Sequence, residues 1–139
     1  MIIEQIYTVC LSQGAYYIHS NGEAAIIDPL RDIKPYIEKA ANDGVKIKYI
    51  FETHFHADFV SGHVDLAKKT GATIVFGPGA ETDYSAHIAK DNETFELGDI
   101  IISGGNSPIK AAELATSNSV ITSEDIKKQG DVTIQSLLR

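Results

Sequence analysis

The stretch Thr53-His54-Phe55-His56-Ala57-Asp58-Phe59-Val60-Ser61-Gly62-His63 concentrates the residues of this chain that can do chemistry. Three of the five histidines and one aspartate fall within ten positions. His54 and His56 are two apart, so in extended backbone both rings point to one face. Two imidazoles and a carboxylate are the donors that borderline divalent metals select. His54, His56 and Asp58 are therefore the candidate metal ligands, and Asp58 is also the candidate catalytic carboxylate. A lone H-x-H is a weak signal. The context strengthens it: a strand, then H-x-H-x-D, then a helix with Gly62 in its first turn. His63 has Phe59 and Leu66 as helical neighbours and reads as a helix-surface residue. His19, beside a turn, and His87 have no partner pattern and read as solvated. Cys10 reads as a buried strand thiol.

The elements that must position this cluster follow from the flanking pattern. Glu4–Val9, Ala15–Ser20 and Glu23–Asp28 are β-prone, and Asn21-Gly22 between the last two is a hairpin signal, because both residues tolerate positive φ. Asp28-Pro29 ends the third strand. A helix is predicted over Asp32–Asn42, with Asp32 as N-cap, Pro35 in the first turn and Gly44 as the stop. Lys46–Thr53 is a strand, His54–Asp58 a loop, Phe59–Lys69 a second helix ended by Gly71, and Ala72–Phe76 a buried strand. Strand–helix–strand order implies right-handed crossovers and a covered sheet. The cluster then sits beyond the C-terminal end of a strand, where open α/β sheets form ligand crevices, and before a helix N-terminus that favours an anion. Gly77–Ser85 reads as a loop, and Thr94–Leu97 and Asp99–Ile102 as short strands about Gly98. Further on, Ser107–Ala115 and Glu124–Gln129 read as weak helices and Asp131–Gln135 as a strand.

The 139 residues suffice for one domain of ordinary size. The apolar share of 43% and charged share of 22% are globular values. No apolar run approaches the roughly 20 residues of a membrane-spanning helix, and the opening does not read as a signal peptide. The net charge of −7 argues against nucleic-acid and anionic membrane partners. One cysteine allows neither an internal disulfide nor a multi-thiolate zinc site, so a cytoplasmic location is expected. The charge is uneven: residues 1–102 carry all of it, and all eleven aromatics lie at or before Phe95. That composition break divides the chain into 1–102 and 103–139.

The motif T-H-F-H-A-D-F-V-S-G-H resembles the metal-binding motif of the metallo-β-lactamase superfamily, and more narrowly its persulfide dioxygenase, glyoxalase II-related branch. The Ile27-Asp28-Pro29 turn and the G-A-T-I-V-F-G strand match that branch too. The resemblance covers roughly residues 1–102. It implies an α/β (α+β) fold, an αββα sandwich of which this chain carries the N-terminal half. V-I-T-S-E-D-I-K-K-Q-G-D-V-T-I resembles the opening of a rhodanese domain, which makes 103–139 a rhodanese-like fragment from a lactamase–rhodanese fusion. By the same resemblance His54 is a metal ligand, His56 a ligand or its neighbour, and Asp58 lines the site, as a second-metal ligand in hydrolases or a polar orienter in dioxygenases. The family motif places His directly after this Asp. Here Phe59 stands instead, which favours one metal, Fe(II) over Zn(II), in a 2-His-1-carboxylate site.

The family completes its site with a later His in a Thr-Pro-Gly-His stretch and a bridging Asp. In this chain Ile100-Ile101-Ile102 runs into Ser103-Gly104-Gly105-Asn106-Ser107-Pro108, and no His follows His87. The expectation is a truncated chain. Its exposed sheet face would drive homo-oligomerisation. Three functions follow from the resemblance: an Fe(II) dioxygenase converting a glutathione-type persulfide to sulfite, a zinc glyoxalase II-like thioester hydrolase, and a non-catalytic remnant with an incomplete metal site. The expected partner is a small-molecule thiol persulfide or thioester.

Overall fold

In the computed structural model residues 1–103 are described, together with 119–120. β1 (Ile2–Thr8), β2 (Gln13–Ser20) and β3 (Glu23–Ile27) form an antiparallel meander. Asn21 and Gly22 close the second hairpin at φ 45° and 84°, the pair of positive φ angles that a type I′ turn needs. β3 leads through α1 (Lys34–Asp43) to β4 (Lys46–Glu52), and β4 through α2 (His63–Thr70) to β5 (Thr73–Phe76). β3, β4, β5 and the two-residue β6 (His87–Ile88) pair in parallel. The six strands lie in the order β1-β2-β3-β4-β5-β6. β7 (Thr94–Leu97), β8 (Ile100–Ser103) and β9 (Ser119–Val120) form a second sheet.

The large sheet is covered on both faces. Ala24 and Ile26 of β3 join Tyr17, Ile47 and Ile50 against Tyr36 and Ala40 of α1 and Leu66 of α2. Ala25 and Ile27 point the other way and join Phe51 and Val75 against Phe95, Leu97, Ile100 and Ile102 of the second sheet. This alternation explains why β3 reads as an unbroken apolar run. Phe51 and Phe95 meet edge to face at 5.3 Å across the two sheets. Gly98 N–H donates to Glu23 Oε2 at 2.8 Å and ties the β7–β8 turn to the edge of β3. The described residues thus form helix, sheet and sheet layers, a mixed α/β architecture that agrees with the expected fold.

Several local expectations are corrected. α2 begins at His63, not Phe59. Ser61 bridges Leu30, its hydroxyl donates to Pro29 O at 3.0 Å, and Gly62 N–H donates to the same carbonyl at 3.1 Å. Bound this way to the chain after β3, the segment before His63 cannot wind. α1 begins at Lys34 with Ile33 at the N-cap position, and Asp32 Oδ1 accepts the Lys34 N–H at 3.1 Å from one residue further out. Cys10 is exposed, because Val9–Leu11 turn as a 3₁₀ segment at the β1–β2 tip. His19 is largely enclosed, its Nε2 3.8 Å from Asp43 Oδ2. His87 is exposed but paired with Glu93 at 2.7 Å. The elements expected over Ser107–Ala115, Glu124–Gln129 and Asp131–Gln135, and the rhodanese-like piece, lie outside the described residues apart from Ser119–Val120.

Candidate metal centre

The site forms where two parallel strands stop. β3 ends at Ile27 and β4 at Glu52. Asp28 N–H donates to Phe51 O at 2.9 Å, which carries Asp28 alongside the residues after β4. Asp28 holds φ 49°, a left-handed conformation that aspartate tolerates better than most side chains, and Pro29 follows it. The buried Asp28 carboxylate accepts from Thr53 N–H at 2.9 Å, from the Thr53 hydroxyl at 2.6 Å, and from His56 Nε2–H at 3.0 Å.

These bonds determine where the ring protons sit. A carboxylate offers only lone pairs. The Thr53 hydroxyl therefore gives its single proton to Asp28 and accepts from His54 Nδ1, 2.7 Å away. His54 carries its proton on Nδ1 and presents a lone pair on Nε2. His56 spends its Nε2–H on Asp28, with Glu52 Oε2 3.5 Å from the same nitrogen, and presents a lone pair on Nδ1. Hydrogen bonding at one ring nitrogen is how proteins leave the other free for a metal.

The two ring centroids are 4.2 Å apart. Ligand atoms of Asp28, His54 and His56 all lie within 4.8 Å of one another. Asp28 has about four acceptor sites and spends three, so one remains. Two imidazoles and a carboxylate with free lone pairs fit a borderline divalent cation in charge and donor type.

Of the three residues singled out as ligands from the sequence, His54 and His56 are brought together here. Asp58 is exposed on the same loop and lies outside that gathered group. The carboxylate in the group is Asp28, 25 residues before Thr53. Phe59 packs its ring on His56 with centroids 4.3 Å apart.

A second polar line lies beneath. Glu52, at the end of β4, is 1% exposed. Burial pushes its carboxyl up to about 8, and nearby Asp28 adds to the rise. Ser61 Oγ meets Glu52 Oε1 at 2.7 Å. His63 Nδ1 is 3.6 Å from that oxygen, and His63 Nε2 is 2.7 Å from the Tyr84 hydroxyl. Burial, then the neighbouring His56, holds the His63 ring below its usual value. His63 is therefore an interior group at the helix start, not a surface one. Sequence reasoning passed over Asp28, Glu52, Ser61 and Tyr84. A signal existed for one of them: Glu52 closes KIKYIFE on an acidic residue where the strand is otherwise entering the core.

Beside His54 opens a cleft of about 220 Å³, walled by Phe55, Phe76 and the turn from Gly77 to Ala80. Phe55 is 58% exposed and stacks on Phe76 at 4.8 Å. No helix among the described residues is long and apolar enough to cross a membrane.

Comparison with known proteins identifies the family of the chain. Residues 9–134 match the family described as the metallo-beta-lactamase superfamily. The chain is 29% identical over 89 residues to a probable hydroxyacylglutathione hydrolase of Schizosaccharomyces pombe, covering 62% of this chain and 34% of that protein. It is 36% identical over 72 residues to a metal-dependent hydrolase of Staphylococcus aureus, covering 52% and 31%. The chain therefore spans about a third of the length of the curated relatives it matches. A crystal structure of a metallo-beta-lactamase from Staphylococcus aureus superposes with a TM-score of 0.69 at 35% identity, over 78% of this chain and 35% of that one. The crystal structure of ETHE1 from Myxococcus xanthus superposes at 0.66 with 23% identity, over 73% and 46%, a likeness of fold.

Proposed function

Because the chain belongs to the metallo-beta-lactamase superfamily, we propose that its His54–His56 centre holds a single divalent metal, Fe(II), and serves a sulfur dioxygenase that oxidises a glutathione-type persulfide to sulfite. The observation that carries this reading is the contact of Phe59 with His56 at 4.3 Å. The family motif has an imidazole directly after Asp58. A benzyl side chain has no donor atom, so a two-metal hydrolytic site loses a ligand, whereas a 2-His-1-carboxylate site does not need one there.

In this reading Asp28 is the carboxylate of the set and also keeps both ring protons on the far nitrogens. Asp58, exposed on the adjoining loop, lines the site and orients the substrate. The aromatic cleft beside His54 takes the part of the thiol next to the persulfide. Fe(II), when bound, supplies redox chemistry toward O₂ and an electrophilic position for sulfur. Persulfide, O₂ and water yield thiol, sulfite and protons, so water supplies the third oxygen.

The test is iron content after oxygen-free purification, followed by O₂ uptake on glutathione persulfide. The expected result is about one iron per chain and O₂-dependent release of sulfite. No uptake by iron-loaded protein overturns the reading. The names of the hydrolase relatives favour a second reading, a zinc thioester hydrolase. Turnover of a glutathione thioester by the zinc form would establish it. Failure of the chain to retain any metal would leave the third reading, a remnant without catalysis.

A further inference from the structure

We propose that β1 is an interface for a second copy of this chain, the two β1 strands pairing antiparallel about Gln5. β1 is the edge of the six-stranded sheet, joined to β2 on one side and, among the described residues, to no strand on the other. A free edge presents a row of unpaired N–H and C=O groups, and proteins that keep such an edge single blunt it with short length, lysine, proline or a bulge. β1 has none of these. It is seven residues long, its sequence IIEQIYT holds neither lysine nor proline, and it pairs with β2 in unbroken register from Ile2 opposite His19 to Thr8 opposite Gln13. The opposite edge of the same sheet, β6, is only two residues long. Exposed apolar side chains follow the same division. Of the eight large ones among the described residues, Met1, Ile2, Tyr7, Val9 and Leu11 lie on β1 or just beyond its two ends.

The occupant is a second copy because the strand is complementary to itself. A closed two-fold pair sets one patch against the same patch. Full antiparallel overlap of Ile2–Thr8 with its copy puts Gln5 opposite Gln5, Glu4 opposite Ile6, Ile3 opposite Tyr7 and Ile2 opposite Thr8. Like charges directly opposite one another would work against such a pairing, and none arises. Glu4 is the one charged residue of β1, it meets Ile6, and Lys39 of its own chain neutralises it at 2.9 Å. Ile3 against Tyr7 occurs twice, a β-branched residue against an aromatic, which is a stabilising cross-strand pair. It covers a tyrosine that is 56% exposed in the single chain. At the axis Gln5 folds back over β2: its Nε2 donates to the Tyr16 hydroxyl at 2.9 Å and lies over Gly14, where a Cβ would come within 2.6 Å of it. The Gln5 amide therefore leaves the free edge clear. The pair forms one continuous sheet, with the helices of both copies on the same face.

The experiment measures sedimentation and amide hydrogen exchange of the full chain over a range of concentrations. The parent chain should pass from monomer to dimer in the micromolar range, and exchange of the β1 amides should slow over the same range. Gln5→Lys and Gln5→Glu each set like charges against one another at the axis and should weaken association by about 10-fold or more. An equimolar mixture of the two variants should associate at least as tightly as the parent, because unlike charges then meet there. A parent chain that stays monomeric up to about 1 mM overturns the proposal. So does a dimer whose β1 amides exchange as they do in the monomer, which places the interface elsewhere. Slow exchange of β1 at every concentration overturns it as well, since the edge is then covered from within the chain. These outcomes on the parent chain decide the interface without any variant. Association of either single variant at the parent's strength, or a mixture that fails to restore it while both variants keep the parent's thermal midpoint, overturns the register about Gln5.

Discussion

Asp28 and His54 are joined by a single hydroxyl: Thr53 Oγ1 lies 2.6 Å from the carboxylate and 2.7 Å from ring Nδ1. Because the carboxylate can only accept, the hydroxyl proton points to Asp28 and the ring proton points to the hydroxyl. A side chain on the turn after β3 thus determines which nitrogen of a histidine after β4 is left bare.

Asp28→Asn should reverse that order. With the amide oxygen accepting from Thr53 N–H and His56, the amide nitrogen faces the Thr53 hydroxyl and donates to it. The hydroxyl proton then turns to His54 Nδ1, and the His54 proton moves to Nε2, the nitrogen needed for a metal. Cobalt(II) affinity is expected to fall by 10-fold or more, and the His54 ¹⁵N shifts should exchange their pattern. Thr53→Ser should behave as the parent chain, and Thr53→Val should lose affinity like Asp28→Asn. Parent-like affinity in Thr53→Val would show that the hydroxyl does not hold the tautomer.

Much of this was legible in the sequence because it is local. Asn21-Gly22 dictates its hairpin, the apolar runs of β3, β4 and β5 dictate a parallel sheet buried on both faces, and His54-x-His56 at a strand end marks the site. The rest depends on contacts between distant positions. Asp28 reads as a strand stop until β3 and β4 pair and bring it to Thr53, 25 residues on. The start of α2 depends on Ser61 and Gly62 binding the chain after β3, which no helical periodicity reveals. His63 was misread because Phe59 and Leu66 flank it on a helix that starts four residues too early. Cys10 was misread because a strand pattern gives no sign of a turn at the hairpin tip.

Gly62 is held between α2 and the segment after β3. A Cβ there would collide with the Leu30 carbonyl oxygen and come within 2.7 Å of Ile33 Cγ2. The carbonyl is backbone and cannot swing aside, so Gly62→Ala must displace Ser61 and His63. A loss of about 2 kcal/mol in urea unfolding is expected. Gly71→Ala, where the space is open but φ is 75°, should cost only about 1 kcal/mol. If the two variants cost the same, the close approach at Gly62 is not rigid.

Cys10 offers a test of the hairpin tip. It is exposed between Val9 and Leu11, which are 81% and 42% exposed. A thiol reagent should label the native chain once, without denaturant. Labelling should leave the unfolding midpoint unchanged, since the tip buries no side chain. Labelling only in urea would place the thiol back inside a strand.

Acid and alkali should act on different carboxyls, and Glu52 sets the larger slope in metal-free protein. Its ordinary value is 4.5 and burial raises it to about 8 in the folded chain. Between those values the folded state keeps a proton that the unfolded state has released. The contribution of Glu52 is therefore whole below the ordinary value, declines as pH rises, and is gone above the folded value. Glu23 has the opposite sign. The Gly98 N–H, and then Lys48, hold its carboxyl below the usual range, so its contribution is present at neutral pH and lost as acid protonates it. Urea unfolding in chelator should show stability falling between about pH 5 and 8, by on the order of a few kcal/mol. Glu52→Gln, which keeps the shape and removes the ionisation, should flatten that decline and leave the acid-side loss intact. If the parent chain is already flat over this range, Glu52 titrates as a solvated carboxyl, and its place at the end of β4 is more open than its burial indicates.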